Sequence, residues 1–296
     1  MEAQIPSAES DIARVFRFAP SPNGYLHRGH AYSALVNQRA AQATDGRLLL
    51  RIEDIDLPRA RPEFEAAIYE DLEWLGLRWE EPVLRQSERF DAYAEALAAL
   101  DKLDLLYPAF LSRSEIAAAA PPGSSSLRDP DGALLYPGPE RDWPQAKRRA
   151  AMESGAPYSL RLDMARALAV VETLSWLEAD PLDAAPTATQ AANPAAWGDV
   201  VLARKELPAS YHLSVVVDDA FQRVSDVVRG LDLQPSTSVH RLLQALLGLP
   251  EPRYFHHRLI LDETGAKLSK SRGSETIRAR REAGESAETL IAGLGL

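Results

Sequence analysis

Residues 14–30 have the sequence RVFRFAPSPNGYLHRGH, and this stretch indicates the fold. Arg14 to Ala19 have the composition of a short strand, which the prolines after it and the pair Asn23-Gly24 bring to an end. The alanine-rich residues from about 29 to 43 are typical of a helix. A strand, a tight turn and a helix in this order begin a βαβ unit.

The second strand of this unit is predicted at residues 48–52, LLLRI. A mostly apolar run of this length is typical of strands that are buried on both faces of a parallel sheet. Helices are predicted at about 62–75 and 88–103, and strands again from 199 to 202 and from 226 to 230. The predicted fold class is therefore α/β, with a doubly wound parallel sheet.

Later stretches are less regular. The periodicity of residues 211–221 does not decide between strand and helix, whereas 236–247 predicts a capped helix and 255–261 a strand. Residues 118–150 and 180–198 are predicted to be rich in loops. The predicted organisation is a first half of a nucleotide-binding domain, an insertion, a second half and a C-terminal segment, over residues 14–107, 108–198, 199–260 and 261–296.

The composition excludes several kinds of site. The chain of 296 residues contains no cysteine, which excludes disulfides, thiolate nucleophiles and cysteine-ligated zinc. No run approaches the ~20 apolar residues that cross a bilayer, and the first thirty residues have no signal-peptide pattern. We therefore predict a cytoplasmic protein without a membrane partner.

The net charge of −10 argues against a polyanionic partner, but it is unevenly distributed. Residues 14–51 contain six arginines and one aspartate, and residues 264–281 contain six lysines and arginines and one glutamate. Each basic window has two explanations, a solvated surface or a site for phosphate.

Two histidines, His27 and His30, follow the Pro/Gly turn. A strand that leads through such a turn into a helix directs backbone N–H groups at one point, where imidazoles could also bind a phosphate. The alternatives are surface histidines or a zinc pair, for which the remaining imidazoles would be those of His212, His240, His256 and His257.

A second candidate for phosphate binding is the segment KLSKS at residues 267–271. Lysines in a glycine-containing loop could close over a triphosphate and stabilise the charge that develops as pyrophosphate leaves. Such a loop alone is usually a solvated turn. Together with the histidine turn, it indicates the two halves of an ATP site.

In these motifs the chain resembles the class I glutamyl-tRNA synthetase family. The matching motifs occur in the family's order over about residues 14–274, namely PSPNGYLH at 20–27, RIEDID at 51–56, VDD at 217–219, VRG at 228–230 and KLSKS at 267–271. The resemblance implies a class I Rossmann-like doubly wound sheet, an acceptor-stem-type insertion and a short C-terminal stem-contact segment. It also implies that the protein activates glutamate as its adenylate, using ATP and Mg²⁺.

The same resemblance implies roles for individual residues. Glutamate has two carboxylates and one ammonium group, so its site requires fixed cations and an acid. Glutamate-binding residues would be Arg17, Ser21, Glu53, Tyr211 and Arg229, with Arg17 or Arg229 on a carboxylate and Glu53 on the ammonium. ATP-binding residues would be Ala19, Pro20, His27, Gly29 and Lys270, and catalytic residues His27, His30, Lys267 and Lys270. A structural ion pair with Arg51 is the alternative for Glu53.

Only twenty-five residues follow Ser271, too few to form an anticodon-binding domain, since chains below ~40 residues rarely fold alone. The chain is therefore more similar to the family's shortened paralogues, which transfer glutamate to the queuosine base in the anticodon of aspartate tRNA. The partners implied are L-glutamate and queuosine-containing tRNA(Asp), and we expect a monomer.

Two departures from these paralogues are visible. Many of them have a zinc knuckle in the insertion, but Ala109, Leu111 and Glu140 stand where cysteines are expected. We therefore predict no zinc, and an insertion held by apolar packing of Phe110 and Leu111. The other departure is His30, where these paralogues often have a smaller or hydroxyl residue.

Three other functions remain open. A glutamate-activating enzyme could charge another acceptor, or a synthetase-like module could bind tRNA without catalysis. A general nucleotidyltransferase would explain the two ATP motifs but not Arg17, Glu53 and Arg229.

Overall fold

The computed structural model describes residues 13–120, 127–181, 186–262, 265, 268 and 275–296. Its first sheet has the parallel order β1-β2-β3, formed by Val15–Phe18, Arg47–Ile52 and Glu80–Arg85. The βαβ unit predicted from residues 14–52 is therefore present. The helix between β1 and β2 is α1, Arg28–Ala43.

A second sheet has the order β7-β6-β10-β9. Its strands β9 and β10, Asp226–Gly230 and Arg253–His257, are parallel, and β6, Ser175–Ala179, pairs parallel with β10. The backbone N–H of Ser225 donates to the carbonyl oxygen of Val15 over 3.0 Å, which places β9 beside β1. The two sheets thus meet at β1 and β9.

The strand β7, Pro186–Ala191, corrects one prediction. It pairs antiparallel with β6, so the stretch 180–198 is not made of loops alone. Its threonines are β-branched residues, which fit a pleated sheet, although the Ala and Pro content favoured a loop. Within 118–150, by contrast, the described residues 127–144 form only turns and one isolated bridge, Arg128 to Leu134.

A third, antiparallel sheet has the order β4-β5-β8, formed by Leu106–Ala109, Ser159–Leu162 and Val201–Arg204. The prediction that residues 199–202 resume the parallel sheet is wrong, because Val201–Arg204 pairs with β5. Leu162 and Leu202 are fully buried in one core, which favours this pairing. Strand pairing therefore crosses the boundary predicted between residues 198 and 199.

The remaining helices follow the predicted α/β pattern. Tyr211–Phe221, left undecided by its periodicity, is helix α7. The predicted helix at 236–247 is α8, Thr237–Leu247, and the strand predicted at 255–261 is β10, which ends at His257. The other helices are α2 Pro62–Trp74, α3 Phe90–Lys102, α4 Arg113–Ala119, α5 Gln145–Glu153, α6 Met164–Ala169, α9 Ile277–Glu282 and α10 Ala287–Gly293.

The main core joins the two ends of the described chain. Phe16 and Leu26 are fully buried in the same cluster as Ile277, Leu290 and Leu294. The C-terminal segment thus packs against α1 and the first sheet, while its contact with a tRNA stem stays a prediction. Within the described ranges, the longest helix has 16 residues, and none combines the length and hydropathy needed to cross a bilayer.

Candidate active site

A cavity of about 500 Å³ opens where β1, β2 and β9 end. The carboxyl ends of strands are where doubly wound sheets bind ligands. Ten of the predicted site residues line it: Arg17, Ala19, Pro20, Ser21, His27, Gly29, His30, Glu53, Tyr211 and Arg229. Lys267 and Lys270 lie outside the described residues, and Leu268 between them is part of the lining.

The two histidines lie at the start of α1 and form its cap. His27 is the N-cap residue, and its Nδ1 accepts a hydrogen bond from the N–H of Gly29 over 3.1 Å. His30 Nδ1 accepts from the N–H of His27 over 3.1 Å, and the two rings are 3.8 Å apart. A neutral imidazole that accepts at Nδ1 carries its proton on Nε2. Each ring could therefore donate from Nε2 to a phosphate oxygen beside the positive end of the helix.

Gly29 allows the His27 ring to lie directly against the start of the helix. A Cβ atom at position 29 would lie 3.0 Å from His27 Cε1 and 3.1 Å from His27 Nδ1. A side chain at position 29 would therefore require the imidazole to shift by a few tenths of an ångström.

A buried ion cluster supports the floor of the cavity. Asp219, on α7, accepts from Arg17 Nε over 3.0 Å and from Arg51 NH1 over 2.8 Å. Burial acts to raise the pKa of Asp219, but the charges of Arg17 and Arg51 outweigh it and hold that pKa below its usual range. Asp219 is therefore an anion that neutralises part of the charge of both arginines.

Glu53 follows β2 and lines the same cavity. Its Oε1 lies 3.3 Å from Arg51 NH2, so the ion pair considered from the sequence is present. Burial raises the pKa of Glu53 above its usual range, against the opposing charges of Arg51 and Arg17. A carboxylate at such a site gains a favourable partner when an ammonium group enters the cavity.

Arg229 lies near the end of β9 and is almost completely buried. Its NH1 donates to Tyr211 Oη over 3.3 Å and its NH2 to Thr237 Oγ1 over 2.7 Å. Tyr211, the first residue of α7, closes the cavity beside this guanidinium.

The carboxylate of Asp218, next to Asp219, connects α7 to other elements. It accepts from Arg89 Nε over 2.6 Å, from Tyr93 Oη over 2.7 Å and from Gln86 Nε2 over 2.9 Å. No role was predicted from the sequence for Asp218 or Asp219, although both belong to the VDD motif. Their adjacency on a helix next to buried apolar residues was the available signal.

A second cavity, of about 780 Å³, shares the wall formed by Tyr211. Its lining contains four arginines, four aromatic or imidazole side chains and three aspartates, namely Arg113, Arg128, Arg161, Arg204, Tyr136, Trp197, Tyr211, His212, Asp129, Asp131 and Asp199. The Arg161 guanidinium lies 4.1 Å above the Tyr136 ring, its NH1 donates to the Asp199 carbonyl oxygen, and its buried Nε has no hydrogen-bond partner among the residues that the structure describes. This combination of guanidinium groups and rings is suited to a nucleotide.

Residues 14–296 match the sequence family described as tRNA synthetases class I (E and Q), catalytic domain. The chain belongs to this family. It is thus a ligase of the aminoacyl-tRNA synthetase type, and the α/β fold predicted from the sequence is confirmed.

Known proteins agree with this membership in the class I (E and Q) family. The chain is 44% identical over 289 residues to a protein of Rhodobacter capsulatus named glutamyl-Q tRNA(Asp) synthetase, with 95% of the chain and all of that relative covered. A protein of the same name from Nocardia farcinica is 40% identical, with 93% and 82% covered. These relatives confirm the predicted resemblance to the shortened paralogues.

A solved structure, the glutamate-tRNA synthetase of Elizabethkingia anophelis, aligns with a TM-score of 0.72 and 28% identity. The alignment covers 93% of the chain and 54% of that synthetase. The chain therefore spans about half the length of this class I relative.

In the insertion of this class I chain, the positions where cysteines were expected lie close together. Glu140 Oε1 accepts from the N–H of Phe110 over 3.2 Å, and Glu140 Oε2 accepts from Tyr136 Oη over 2.7 Å. Tyr136 Oη also accepts from the N–H of Leu111 over 3.3 Å. The Phe110 ring stacks on Trp143 at 5.9 Å, and Leu111 packs on a small core with Tyr136. Hydrogen bonds of Glu140 and Tyr136 thus hold this part of the insertion together with the apolar packing of Phe110 and Leu111. Only the apolar packing was predicted.

The histidines considered as further zinc ligands have other contacts. His240 Nδ1 lies 3.1 Å and His256 Nε2 3.3 Å from nitrogen atoms of the Arg229 guanidinium. Among the described residues no group of three or more His, Asp or Glu is arranged to hold a metal ion. Whether the protein contains zinc stays a prediction, as do the roles of the cavity residues.

Proposed function

We propose that the chain activates L-glutamate with ATP and transfers the glutamyl group to the queuosine base in the anticodon of tRNA(Asp). The names of its relatives support this function. The observation that carries it is that one cavity brings together a buried arginine, a buried glutamate and the imidazole-capped start of a helix.

The cavity has the groups that glutamate requires. Arg229 would bind one carboxylate, because its guanidinium is buried and contacts Tyr211 and Thr237 through neutral oxygens. Arg17 is the alternative cation, but it donates to Asp219 through both Nε and NH2. Glu53 would bind the ammonium group, and Ser21 and Tyr211 would complete the pocket.

ATP would bind with its phosphates at the start of α1. Ala19, Pro20 and Gly29 line the cavity together with His27 and His30. Lys267 and Lys270, outside the described residues, are proposed to bind the phosphates. ATP would enter as its Mg²⁺ complex, so that the metal arrives with the substrate.

The first step forms a bond between an α-carboxylate oxygen of glutamate and the α-phosphorus of ATP. The bond from this phosphorus to the bridging oxygen of the β-phosphate breaks, and pyrophosphate leaves. Such a reaction depends on positioning and on stabilising charge rather than on a nucleophilic side chain, in agreement with a chain that has no cysteine.

In the second step a hydroxyl oxygen of the queuosine cyclopentene ring forms a bond to the adenylate carbonyl carbon. The bond from this carbon to the phosphate oxygen breaks, AMP leaves, and the hydroxyl proton passes to the released phosphate or to water. The acceptor nucleotide would enter through the arginine-lined second cavity, because Tyr211 is part of both walls. Its four arginines outnumber its three aspartates, which leaves an excess of positive charge for phosphate groups in an otherwise acidic protein.

Two assays test this proposal in order. Glutamate-dependent exchange of pyrophosphate into ATP, with Mg²⁺ present, is expected for the purified chain. Its absence would show that the chain is a non-catalytic module.

The second assay follows labelled glutamate into tRNA(Asp) with and without queuosine. We expect incorporation only into the queuosine-containing tRNA, and the label should survive removal of the terminal adenosine. Label that is lost with this adenosine, or equal labelling of both tRNAs, would identify a glutamate-activating enzyme with a different acceptor.

A further inference from the structure

Every hydrogen bond that the structure gives to the Arg229 guanidinium ends on an uncharged group. Nε donates to His256 Nε2 over 3.3 Å, NH1 to His240 Nδ1 over 3.1 Å and to Tyr211 Oη over 3.3 Å, and NH2 to Thr237 Oγ1 over 2.7 Å. Within the described part of the chain, no carboxylate forms an ion pair with Arg229. Arg17, in the same cavity, is instead paired with Asp219 through two hydrogen bonds.

The donors of Arg229 fix the tautomers of the two histidines. A guanidinium has only donors, so His240 Nδ1 and His256 Nε2 must both present lone pairs. The proton of His256 then lies on Nδ1, 2.8 Å from Glu178 Oε2, and that of His240 lies on Nε2, 3.2 Å from His212 Nδ1. Burial and the charge of Arg229 lower the pKa of His240, and they lower the pKa of His256 against the opposing effect of Glu178, so both shifts favour the neutral rings that the donors of Arg229 require.

This arrangement solves a conflict that a buried cation creates. A guanidinium removed from water requires acceptors for its N–H groups, or its burial is strongly unfavourable. A carboxylate would satisfy these groups but would also cancel the charge. Imidazole nitrogens and a hydroxyl satisfy them and leave the charge in place.

We propose that His240, His256 and Thr237 are positioning residues that hold Arg229 in a neutral cradle and keep its charge available for the side-chain carboxylate of glutamate, so that the site prefers glutamate to glutamine, whose side chain is an uncharged amide. The neutral cradle is defined by these three side chains. The inference rests on the proposed function, since it assigns the specificity of the same glutamate site.

The decisive variant is His240→Glu, which places a carboxylate against NH1 of Arg229. We expect the KM for glutamate in pyrophosphate exchange to rise about tenfold or more, because the introduced anion competes with the substrate for one cation. The KM for ATP should change by less than about twofold, because ATP is proposed to bind at the start of α1 and not at Arg229. The inhibition constant of glutamine should rise much less than the KM for glutamate. The ratio of glutamate to glutamine affinities should therefore fall.

Two further variants separate charge from shape. His240→Gln retains an uncharged acceptor and is expected to restore most of the affinity for glutamate. Gln244→Glu lies one turn further along α8 and adds a buried carboxylate beside Arg241, since Gln244 Oε1 lies 2.7 Å from Arg241 NH1. This control is expected to leave the ratio of glutamate to glutamine affinities unchanged.

Folding is checked by circular dichroism and thermal melting. If His240→Glu does not fold, Thr237→Asp places a carboxylate against NH2 of Arg229 and is measured in the same way. A folded carboxylate variant with an unchanged KM for glutamate would refute the neutral cradle, as would an equal increase in Gln244→Glu. Wild-type protein without glutamate-dependent exchange would instead contradict the proposed function itself.

Discussion

Asp219 accepts hydrogen bonds from Arg17 Nε over 3.0 Å and Arg17 NH2 over 3.4 Å, and both side chains are more than nine-tenths buried. Arg51, fully buried, donates from NH1 over 2.8 Å to Oδ1 of the same carboxylate, the oxygen that Arg17 Nε also contacts. The Asp219 carboxylate thus holds the guanidinium groups of Arg17 and Arg51 beneath the cavity. The site depends on Asp219, although this residue is not expected to touch substrate.

The first prediction concerns this anion. Asp219→Asn should lower the free energy of unfolding by about 3–5 kcal/mol, because it removes the carboxylate that pairs with the buried Arg17 guanidinium and leaves buried Arg51 with Glu53 alone. Urea denaturation measures the change. The matched control is Glu80→Gln, which breaks the exposed pair with Arg47 and should cost at most about 1 kcal/mol. A similar cost for both variants would contradict the role of Asp219.

The second prediction concerns Glu53. Glu53→Gln should raise the KM for glutamate about tenfold or more while changing the KM for ATP little, because a carboxylate binds an ammonium group through a charge-assisted hydrogen bond. Steady-state pyrophosphate exchange gives both constants. Asp54→Asn is the control, since Asp54 accepts from Ser87 N and Ser87 Oγ and should affect folding instead. Equal changes in both KM values for Glu53→Gln would assign Glu53 to the ion pair with Arg51 alone.

The third prediction concerns the insertion. Tyr136→Phe should lower the free energy of unfolding by about 1–3 kcal/mol, because it removes a partner of both Glu140 and the Leu111 N–H group. Urea denaturation measures the loss. Tyr158→Phe keeps a ring that lies 6.0 Å from Phe110 and should have little effect.

The insertion also allows a test of the zinc prediction. Elemental analysis of the purified protein should find no stoichiometric zinc, and a chelator should leave the melting temperature unchanged. Zinc at one equivalent, lost together with stability on chelation, would show that the expectation drawn from the missing cysteines is wrong.

The fourth prediction concerns pH. Burial, with a contribution from Arg229, lowers the pKa of His212 to about 4 from its usual 6.5. Between these two values the unfolded chain binds a proton that the folded protein does not bind, so stability falls as the pH falls from 6.5 to about 4. His212→Gln should remove this difference in proton binding between the unfolded and folded states. The slope of the free energy of unfolding against pH should then fall by up to about 1.4 kcal/mol per pH unit.

Denaturation at several pH values between 4 and 7 measures this slope for both proteins. Parallel curves for wild type and His212→Gln would contradict a neutral His212 in the folded state.

The parts of the structure that the sequence predicted are those with local causes. The strand at residues 15–18, the turn and α1 follow from apolar patterning, proline and glycine within about thirty residues. The strand β6 was not predicted, because its place in the sheet depends on Tyr254 pairing with Glu178 across a long separation in the chain. The prediction that residues 199–202 belong to the parallel sheet failed for the same reason. A short apolar run does not specify the strand with which it pairs, which in the structure is β5.

The candidate site divides in the same way. Arg17, Glu53 and Arg229 were recognisable because they lie in short motifs at strand ends. The neutral cradle was not, although His240 and His256 were noticed as histidines. Their contact with Arg229 depends on bringing together α8, β9 and β10, and no spacing along the chain encodes it.

The pairing of Thr276 with His27 has a consequence for how the protein is made. The Ile277 N–H donates to the Leu26 carbonyl oxygen over 2.8 Å, and Arg278 NH1 donates to Tyr25 Oη across 253 positions of sequence. During synthesis the helix-capping imidazole therefore emerges from the ribosome long before the segment that pairs with it. A nascent chain that stops before residue 275 lacks the C-terminal helices that cover Leu26, so the core around this residue would be exposed to water. ATP binding should therefore appear only after these helices have left the ribosome.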